Sequence, residues 1–198
     1  ACSLSVSSCS AILFEPQSGR ILYSKDENSQ RPMASTTKIM TALLAVECFE
    51  LDTVINVSPE AVRVEGSALG LRGGDMITVY DLVTGLLLES GNDAANVIAY
   101  AVSGGLPQFA ELMNKRAAEI GMKNTVFVTP SGLDEGDHSS TSYDMALLAA
   151  EALRNETVAE ICAKKSATIH FGNPPRQVWV SNHNRLLRLY SHAIGLKT

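Results

Sequence analysis

PMASTTKIMTALLAV, at residues 32–46, is the stretch around which the rest of the chain is organised. Proline is tolerated in the first turn of a helix, and the residues that follow are apolar almost all round, as in a helix buried at the centre of a domain. Ser35 and Lys38 are the two side chains here whose burial is costly. Their spacing of three puts both on one helix face, within reach of a hydrogen bond. The stretch therefore predicts a buried helix that begins with a serine nucleophile and a lysine base.

The chemistry of this pair depends on burial. Desolvation disfavours the ammonium form, so Lys38 is expected to be neutral near working pH and to accept the proton of Ser35. The unpaired N–H groups of the first turn are expected to stabilise an oxyanion. A serine and a lysine three residues apart also occur by chance, as a helix cap and a solvated side chain. The apolar surroundings favour the catalytic interpretation.

Composition indicates a globular protein without a nucleic-acid surface. The chain has 198 residues, 45% of them hydrophobic, and a net charge of -5 with scattered basic residues. These values allow a sizeable core and give no basic footprint for DNA or RNA. No apolar run reaches spanning length. The cysteines form no Cys-x-x-Cys pair, which argues against zinc. Cys48 and Cys162 are expected to be buried thiols, and Cys2 and Cys9 are either paired or free.

Hydrophobic periodicity predicts an α/β (α+β) fold. A hairpin is expected over residues 10–24, with strands at both ends of the chain and helices between them. One antiparallel sheet is then assembled from the two chain ends and flanked by helices, with an inserted all-helical lobe. The sheet-containing subdomain is assigned to residues 1–57 and 141–198, and the helical subdomain to residues 58–140. The apolar residues 193–197 are expected to form the last strand.

Two further segments carry polar groups in apolar surroundings. ESGNDAAN, at residues 89–96, interrupts two apolar helical patterns, and it is either a helix cap or a site because buried polar groups need partners. Asp93 within it is expected to be a helix N-terminal charge rather than a catalytic acid. Lys197 and Thr198 end the chain. An ammonium and a hydroxyl beside a cleft suit a substrate carboxylate, although two residues also fit an ordinary strand end.

Together these elements match a known motif set. Ser-x-x-Lys, Ser-x-Asn and Lys-Thr occur in the order found in active-site serine penicilloyl-transferring enzymes. Within that superfamily the sequence resembles the low-molecular-weight penicillin-binding proteins that are D-alanyl-D-alanine carboxypeptidases, over nearly the whole chain. The segments that carry the resemblance are ASTTKIMT (34–41), SGNDAA (90–95), NTVFVTPSGL (124–133), NHNRLL (182–187) and GLKT (195–198).

The resemblance implies a β-lactamase/transpeptidase-like fold and a serine-type reaction. Ser35 would attack the carbonyl between the two D-alanines of a peptidoglycan pentapeptide, and Lys38 would accept its proton. Ser90 would relay a proton to the leaving D-alanine. Water would then hydrolyse the acyl-enzyme without a metal or another cofactor. A β-lactam, which mimics the D-Ala-D-Ala end, would acylate Ser35 and remain bound.

Substrate binding and location are also implied by the resemblance. Asn92 would hold the substrate amide, and Lys197 and Thr198 would bind the terminal carboxylate. The family motif is Lys-Thr-Gly, so the final strands of the sheet, and any membrane anchor, are expected beyond Thr198. The family works on the extracytoplasmic side of the bacterial envelope, and neither nucleic acid nor a spanning helix is expected.

Rival functions remain open at this stage. A class A β-lactamase shares the fold, but it typically carries Glu-x-x-Leu-Asn and Ser-Asp-Asn, neither of which occurs here. A β-lactam sensor or a non-hydrolytic cell-wall-binding homologue would be acylated without releasing product. His138, His170, His183 and His192 are scattered, and each is expected to be a surface or loop residue rather than a ligand.

Overall fold

The computed structural model describes residues 5–198 as a central helix surrounded by helices and two antiparallel sheets. A 3-10 turn at Ala34–Thr37 leads directly into the central helix. The helices are α1 (Lys38–Cys48), α2 (Val79–Leu88), α3 (Asn92–Ser103), α4 (Leu106–Ile120), α5 (Ser142–Ala152), α6 (Glu156–Ala163) and α7 (Leu186–Leu189). The strands are β1 (Ala11–Glu15), β2 (Arg20–Lys25), β3 (Val54–Asn56), β4 (Met76–Thr78), β5 (Ser166–Phe171) and β6 (Arg176–Ser181).

The α1 helix is the centre of the core, as the sequence predicts. All residues from Lys38 to Ala45 are buried, and α2, α3, α5 and α6 all pack around this helix. Because neighbouring helices cover it on every side, α1 needs no polar face. Within residues 5–198, no helix has the length and hydrophobicity that a membrane crossing requires.

The mixed helical and antiparallel architecture is confirmed, but the expected single sheet is wrong. Within residues 5–198, β1 pairs only with β2, and β3, β4, β5 and β6 form a separate four-stranded sheet in that order. The hairpin is anchored by helix packing instead, since β1 lies against α5 and the ring of Phe14 meets Tyr143 edge-on. The division into two subdomains stays a prediction. β4, which falls in the range assigned to the helical subdomain, pairs with β3 and β5.

The strand expected at residues 193–197 is also wrong. This segment is irregular, and in the described part of the chain no strand pairs with it. It packs on α6 instead: a Cβ built on Gly195 would approach Cys162 Cβ to 2.7 Å, and Leu196 lies against the core. A strand needs a neighbouring ladder of hydrogen bonds, and packing against a helix supplies none.

The three cysteines that the structure describes differ in burial. Cys162 is buried in α6, as expected, and burial raises the pKa of its thiol to about 12. The expected burial of Cys48 is wrong, because this residue lies in the last turn of α1, where the helix emerges into solvent. Cys9 is exposed, and its pairing with Cys2 lies outside the described residues.

Candidate active site

Ser35 and Lys38 meet where the 3-10 turn passes into α1. Lys38 Nζ lies 3.1 Å from Ser35 Oγ. Side chains three residues apart eclipse one another in a 3-10 helix, so this turn aligns the pair more directly than an α-helix would. Lys38 is 0% exposed, whereas Ser35 is partly exposed. A buried amine is thus held against a hydroxyl that a substrate can reach.

A backbone carbonyl fixes the other side of the amine. Lys38 Nζ donates to the carbonyl oxygen of Ser131 at 2.6 Å. Burial is the main cause that lowers the pKa of Lys38 to about 8, and the charge of Lys197 lowers it further. A neutral amine has two N–H donors and one lone pair. With one N–H held by Ser131, the lone pair can face the Ser35 hydroxyl and accept its proton.

The loop that supplies this carbonyl is clamped onto the start of α1. Thr41 Oγ1 donates to the Pro130 carbonyl at 2.6 Å, next to the bond between Lys38 and Ser131. Gly132 has φ +87°, and a Cβ at this position would lie 1.8 Å from the Ala34 carbonyl oxygen. Glycine is therefore required for the loop to approach the turn that carries Ser35.

His138 is a loop residue that the fold buries. It lies in a loop, as expected, but it is only 4% exposed and is not a surface residue. Its Nε2 lies 2.8 Å from Thr37 Oγ1, and the backbone N–H groups of Val128 and Thr129 donate to its Nδ1. The sequence offers no signal for this placement, because the polar residues 134–142 have no periodicity that would indicate burial.

The Ser-Gly-Asn segment is strained and polar rather than a simple cap. Gly91 occupies the N-cap position of α3 and no side chain caps it. Ser90 is buried with φ +65°, a left-handed conformation that is costly for a residue with a Cβ. The Asn92 side chain donates through Nδ2 to the Glu65 carbonyl at 2.6 Å. This bond uses one of the two N–H groups of the side-chain amide.

Asp93 is a structural anchor at the first turn of α3, in agreement with the expected helix N-terminal charge. Its carboxylate accepts N–H bonds from Leu69, Gly70 and Leu71 at 2.9–3.1 Å, which ties the glycine-rich connection to the helix. The same carboxylate constrains Gly91, where a Cβ would lie 2.8 Å from Asp93 Oδ1 and 2.9 Å from Leu69 Cγ. The motif therefore fits glycine at its middle position.

The last two residues complete the set that the sequence singled out. Burial lowers the pKa of Lys197, and its charge in turn acts on Lys38, so the two amines share one electrostatic environment. Lys197 Nζ donates to the Thr198 carbonyl, and Thr198 is exposed. In the part of the chain that the structure describes, no hydrogen bond joins Ser90 to Ser35 or Lys38, so the structure pairs only the first two of these site residues directly.

The family model and two curated relatives that match this chain carry the same description, D-alanyl-D-alanine carboxypeptidase. A family model described as D-alanyl-D-alanine carboxypeptidase matches residues 1–198. The carboxypeptidase DacF of Bacillus subtilis is 37% identical over 194 residues, covering 96% of this chain and 50% of the relative. DacB2 of Mycobacterium tuberculosis is 35% identical, covering 94% of this chain and 64% of the relative. The chain thus spans about half to two thirds of the length of these relatives.

Solved structures share the fold. The Streptomyces K15 DD-transpeptidase superposes with a TM-score of 0.94 at 30% identity, covering 100% of this chain and 82% of that one. A penicillin-binding protein homologue from Mycobacterium tuberculosis gives a TM-score of 0.91 at 34% identity, covering 96% and 72%. The fold is therefore that of penicillin-binding proteins and DD-transpeptidases.

Proposed function

The chain belongs to the D-alanyl-D-alanine carboxypeptidase family, and from that premise we propose that it is a serine-type enzyme that removes the terminal D-alanine from peptidoglycan pentapeptides. The observation that carries the proposal is the 3.1 Å contact between Ser35 Oγ and the buried amine of Lys38. A serine hydroxyl is a weak nucleophile unless a neighbouring base removes its proton, and this contact provides the base.

Acylation follows from this pair. The Ser35 hydroxyl gives its proton to Lys38 as Oγ attacks the carbonyl between the two D-alanines, forming a C–O bond. The C–N bond then breaks, and the leaving amine takes the proton from Lys38 through the Ser90 hydroxyl. The N–H of Ser35, in the first turn of the 3-10 segment, lacks an acceptor within its own turn and supports the oxyanion. Water hydrolyses the ester in the reverse sequence.

Substrate binding falls to the remaining residues of the motif set. The carbonyl oxygen of Asn92 receives an N–H of the stem peptide. Lys197, whose charge lies close enough to influence Lys38, attracts the terminal carboxylate, and the Thr198 hydroxyl donates to it. A β-lactam presents a similar carboxylate and a strained amide, so it acylates Ser35 and blocks the site. A substrate in the cell wall places this work on the extracytoplasmic side of the membrane.

The rival functions make different demands on the site. A class A β-lactamase has aspartate in the middle of the second motif, whereas a Cβ at Gly91 would force the side chains of Asp93 and Leu69 to shift. A β-lactam sensor would retain the acylation chemistry and lack turnover. The Ser35–Lys38 pair, in which the pKa of the base is lowered to about 8, supports acylation. An enzyme and a sensor share this step and differ in the release of product.

The test combines acylation with turnover. The intact mass of the protein is measured before and after exposure to a penicillin, with Ser35→Ala as the matched control, and free D-alanine is then measured after incubation with a pentapeptide. We expect an adduct of one drug molecule that is absent in the control, together with D-alanine release. Acylation without D-alanine release would favour the sensor, and sustained penicillin turnover would favour the β-lactamase. Absence of an adduct in the wild-type protein refutes the proposal.

A further inference from the structure

We propose that His138 is a positioning residue for the Ser35–Lys38 pair, acting through Thr37 and through the loop that carries the Ser131 carbonyl. The inference rests on the proposed function, because it assigns His138 to the same reaction. His138 does not contact Ser35 or Lys38 by any hydrogen bond within residues 5–198. Its effect on the reaction is therefore indirect.

The hydrogen bonds of the ring determine its protonation. Val128 N and Thr129 N both donate to Nδ1, at 3.0 and 3.3 Å, so Nδ1 carries no proton. A neutral imidazole then has its proton on Nε2, which donates to Thr37 Oγ1 at 2.8 Å. Burial lowers the pKa of His138, against the opposing effect of Asp134, and this favours the neutral ring. Both ring nitrogens are committed to fixed partners on two different segments.

These partners are close in sequence to Lys38 itself and to the residue whose carbonyl holds its amine. Thr37 immediately precedes Lys38 at the start of α1, and Thr129 is two residues before Ser131, whose carbonyl accepts from Lys38 Nζ. His138 therefore links the start of α1, through Nε2, to the loop that carries Ser131, through Nδ1. Rotation of the loop away from α1 would change the direction of the Ser131 carbonyl and with it the direction of the Lys38 lone pair. A misdirected lone pair accepts the Ser35 proton less well.

One variant of His138 and two variants of Thr37 test the bond between the ring and the start of α1. Asparagine places an oxygen near the position of Nδ1, so His138→Asn retains an acceptor for the loop N–H groups and loses the donor to Thr37. Thr37→Val removes the acceptor on the helix and keeps the side-chain shape, and Thr37→Ser restores the hydroxyl. His170→Asn is the matched control, because His170 is exposed on β5.

Two measurements are made on each variant. The first is the second-order rate constant for acylation by a penicillin, corrected for the folded fraction. The second is the titration midpoint of Lys38, followed by NMR of 13Cε-labelled lysine, with the Lys38 signal assigned by its loss in Lys38→Met. We expect His138→Asn and Thr37→Val each to lower the rate constant about twofold to tenfold, the range for loss of one hydrogen bond. The Lys38 midpoint should move in both variants. Thr37→Ser and His170→Asn should match the wild type in both measurements.

The outcomes separate this inference from the proposed function. Normal acylation and an unmoved Lys38 midpoint in both His138→Asn and Thr37→Val overturn the positioning role and leave the proposed function intact. A wild-type protein that is not acylated, with a Lys38 midpoint that still moves in these variants, refutes the proposed function while the positioning of the amine stands. Equal loss of rate in Thr37→Val and Thr37→Ser would also overturn the inference, since the hydroxyl would then be irrelevant.

Discussion

The pH dependence of Ser35 acylation is the most direct test of Lys38 as the base. Burial and the charge of Lys197 lower the pKa of Lys38 from 10.5 to about 8. Only the neutral amine can accept the Ser35 proton, so the acylation rate should follow the neutral fraction. That fraction is about 10% at pH 7 with a pKa of 8, against about 0.03% with the ordinary value, a difference of roughly 300-fold.

The expected profile follows from these fractions. The acylation rate constant should rise about tenfold per pH unit below pH 7, reach half its maximum near pH 8 and become constant above about pH 9. The direction follows because the deprotonated amine is the proposed base, so acid should slow acylation by protonating Lys38. A lysine with an unshifted pKa would instead give a rate that still rises tenfold between pH 8 and pH 9.

The assay is a rapid-quench experiment. Protein and a penicillin are mixed at each pH, quenched in acid, and the acylated fraction is read from the intact mass. Ser35→Ala gives the background, and drug hydrolysis in base is measured without protein. A rate that is independent of pH between 6.5 and 8.5, or one that continues to rise through pH 10, would refute Lys38 as a base with a lowered pKa.

Three further predictions follow from single contacts. Lys197→Gln removes a charge that lowers the Lys38 pKa, so the midpoint of the acylation profile should move to higher pH, while Lys197→Arg should leave it nearly in place; an unmoved midpoint in the glutamine variant would contradict the coupling. Gly91→Ala should destabilise the fold by about 1–3 kcal/mol in urea unfolding, since its Cβ would lie 2.8 Å from Asp93 Oδ1. Ala34→Gly should raise the free energy of unfolding by up to about 1 kcal/mol, because Ala34 has φ +44°; a fall in stability would show that its conformation is not strained.

Much of the helical architecture could be predicted because its signals are local. Helix α4 follows a 3.6-residue apolar periodicity from Leu106 to Ile120, and Gly121 ends it at φ +93°, a conformation that glycine adopts readily. The hairpin of β1 and β2 is likewise set by alternation around a glycine-containing turn. Strand pairing across the chain has no such local signal. This is why β4 was not predicted and the two ends of the chain were wrongly joined in one sheet.

In the candidate site, too, the local contacts could be predicted and the non-local contacts could not. The spacing of Ser35 and Lys38 predicted their contact, because both lie within one helical turn. The Ser131 carbonyl that holds the amine is 93 residues away in sequence, and any residue type can supply a carbonyl. The buried placement of His138 is equally non-local, since its bonds run to backbone N–H groups and to Thr37, 101 residues away. Sequence motifs identify side chains, but they do not identify the backbone groups that orient them.

The burial of Lys38 lowers the stability of the folded protein and, in the proposed reaction, prepares the amine to act as a base. A pKa lowered from 10.5 to about 8 means that the folded protein disfavours the ammonium by about 3 kcal/mol at pH 7, a large fraction of the stability of a domain this size. An apolar residue in α1 would avoid this cost. Burial and the charge of Lys197 together increase the neutral amine about 300-fold at pH 7, so the shift that costs stability is also the shift that would activate Ser35.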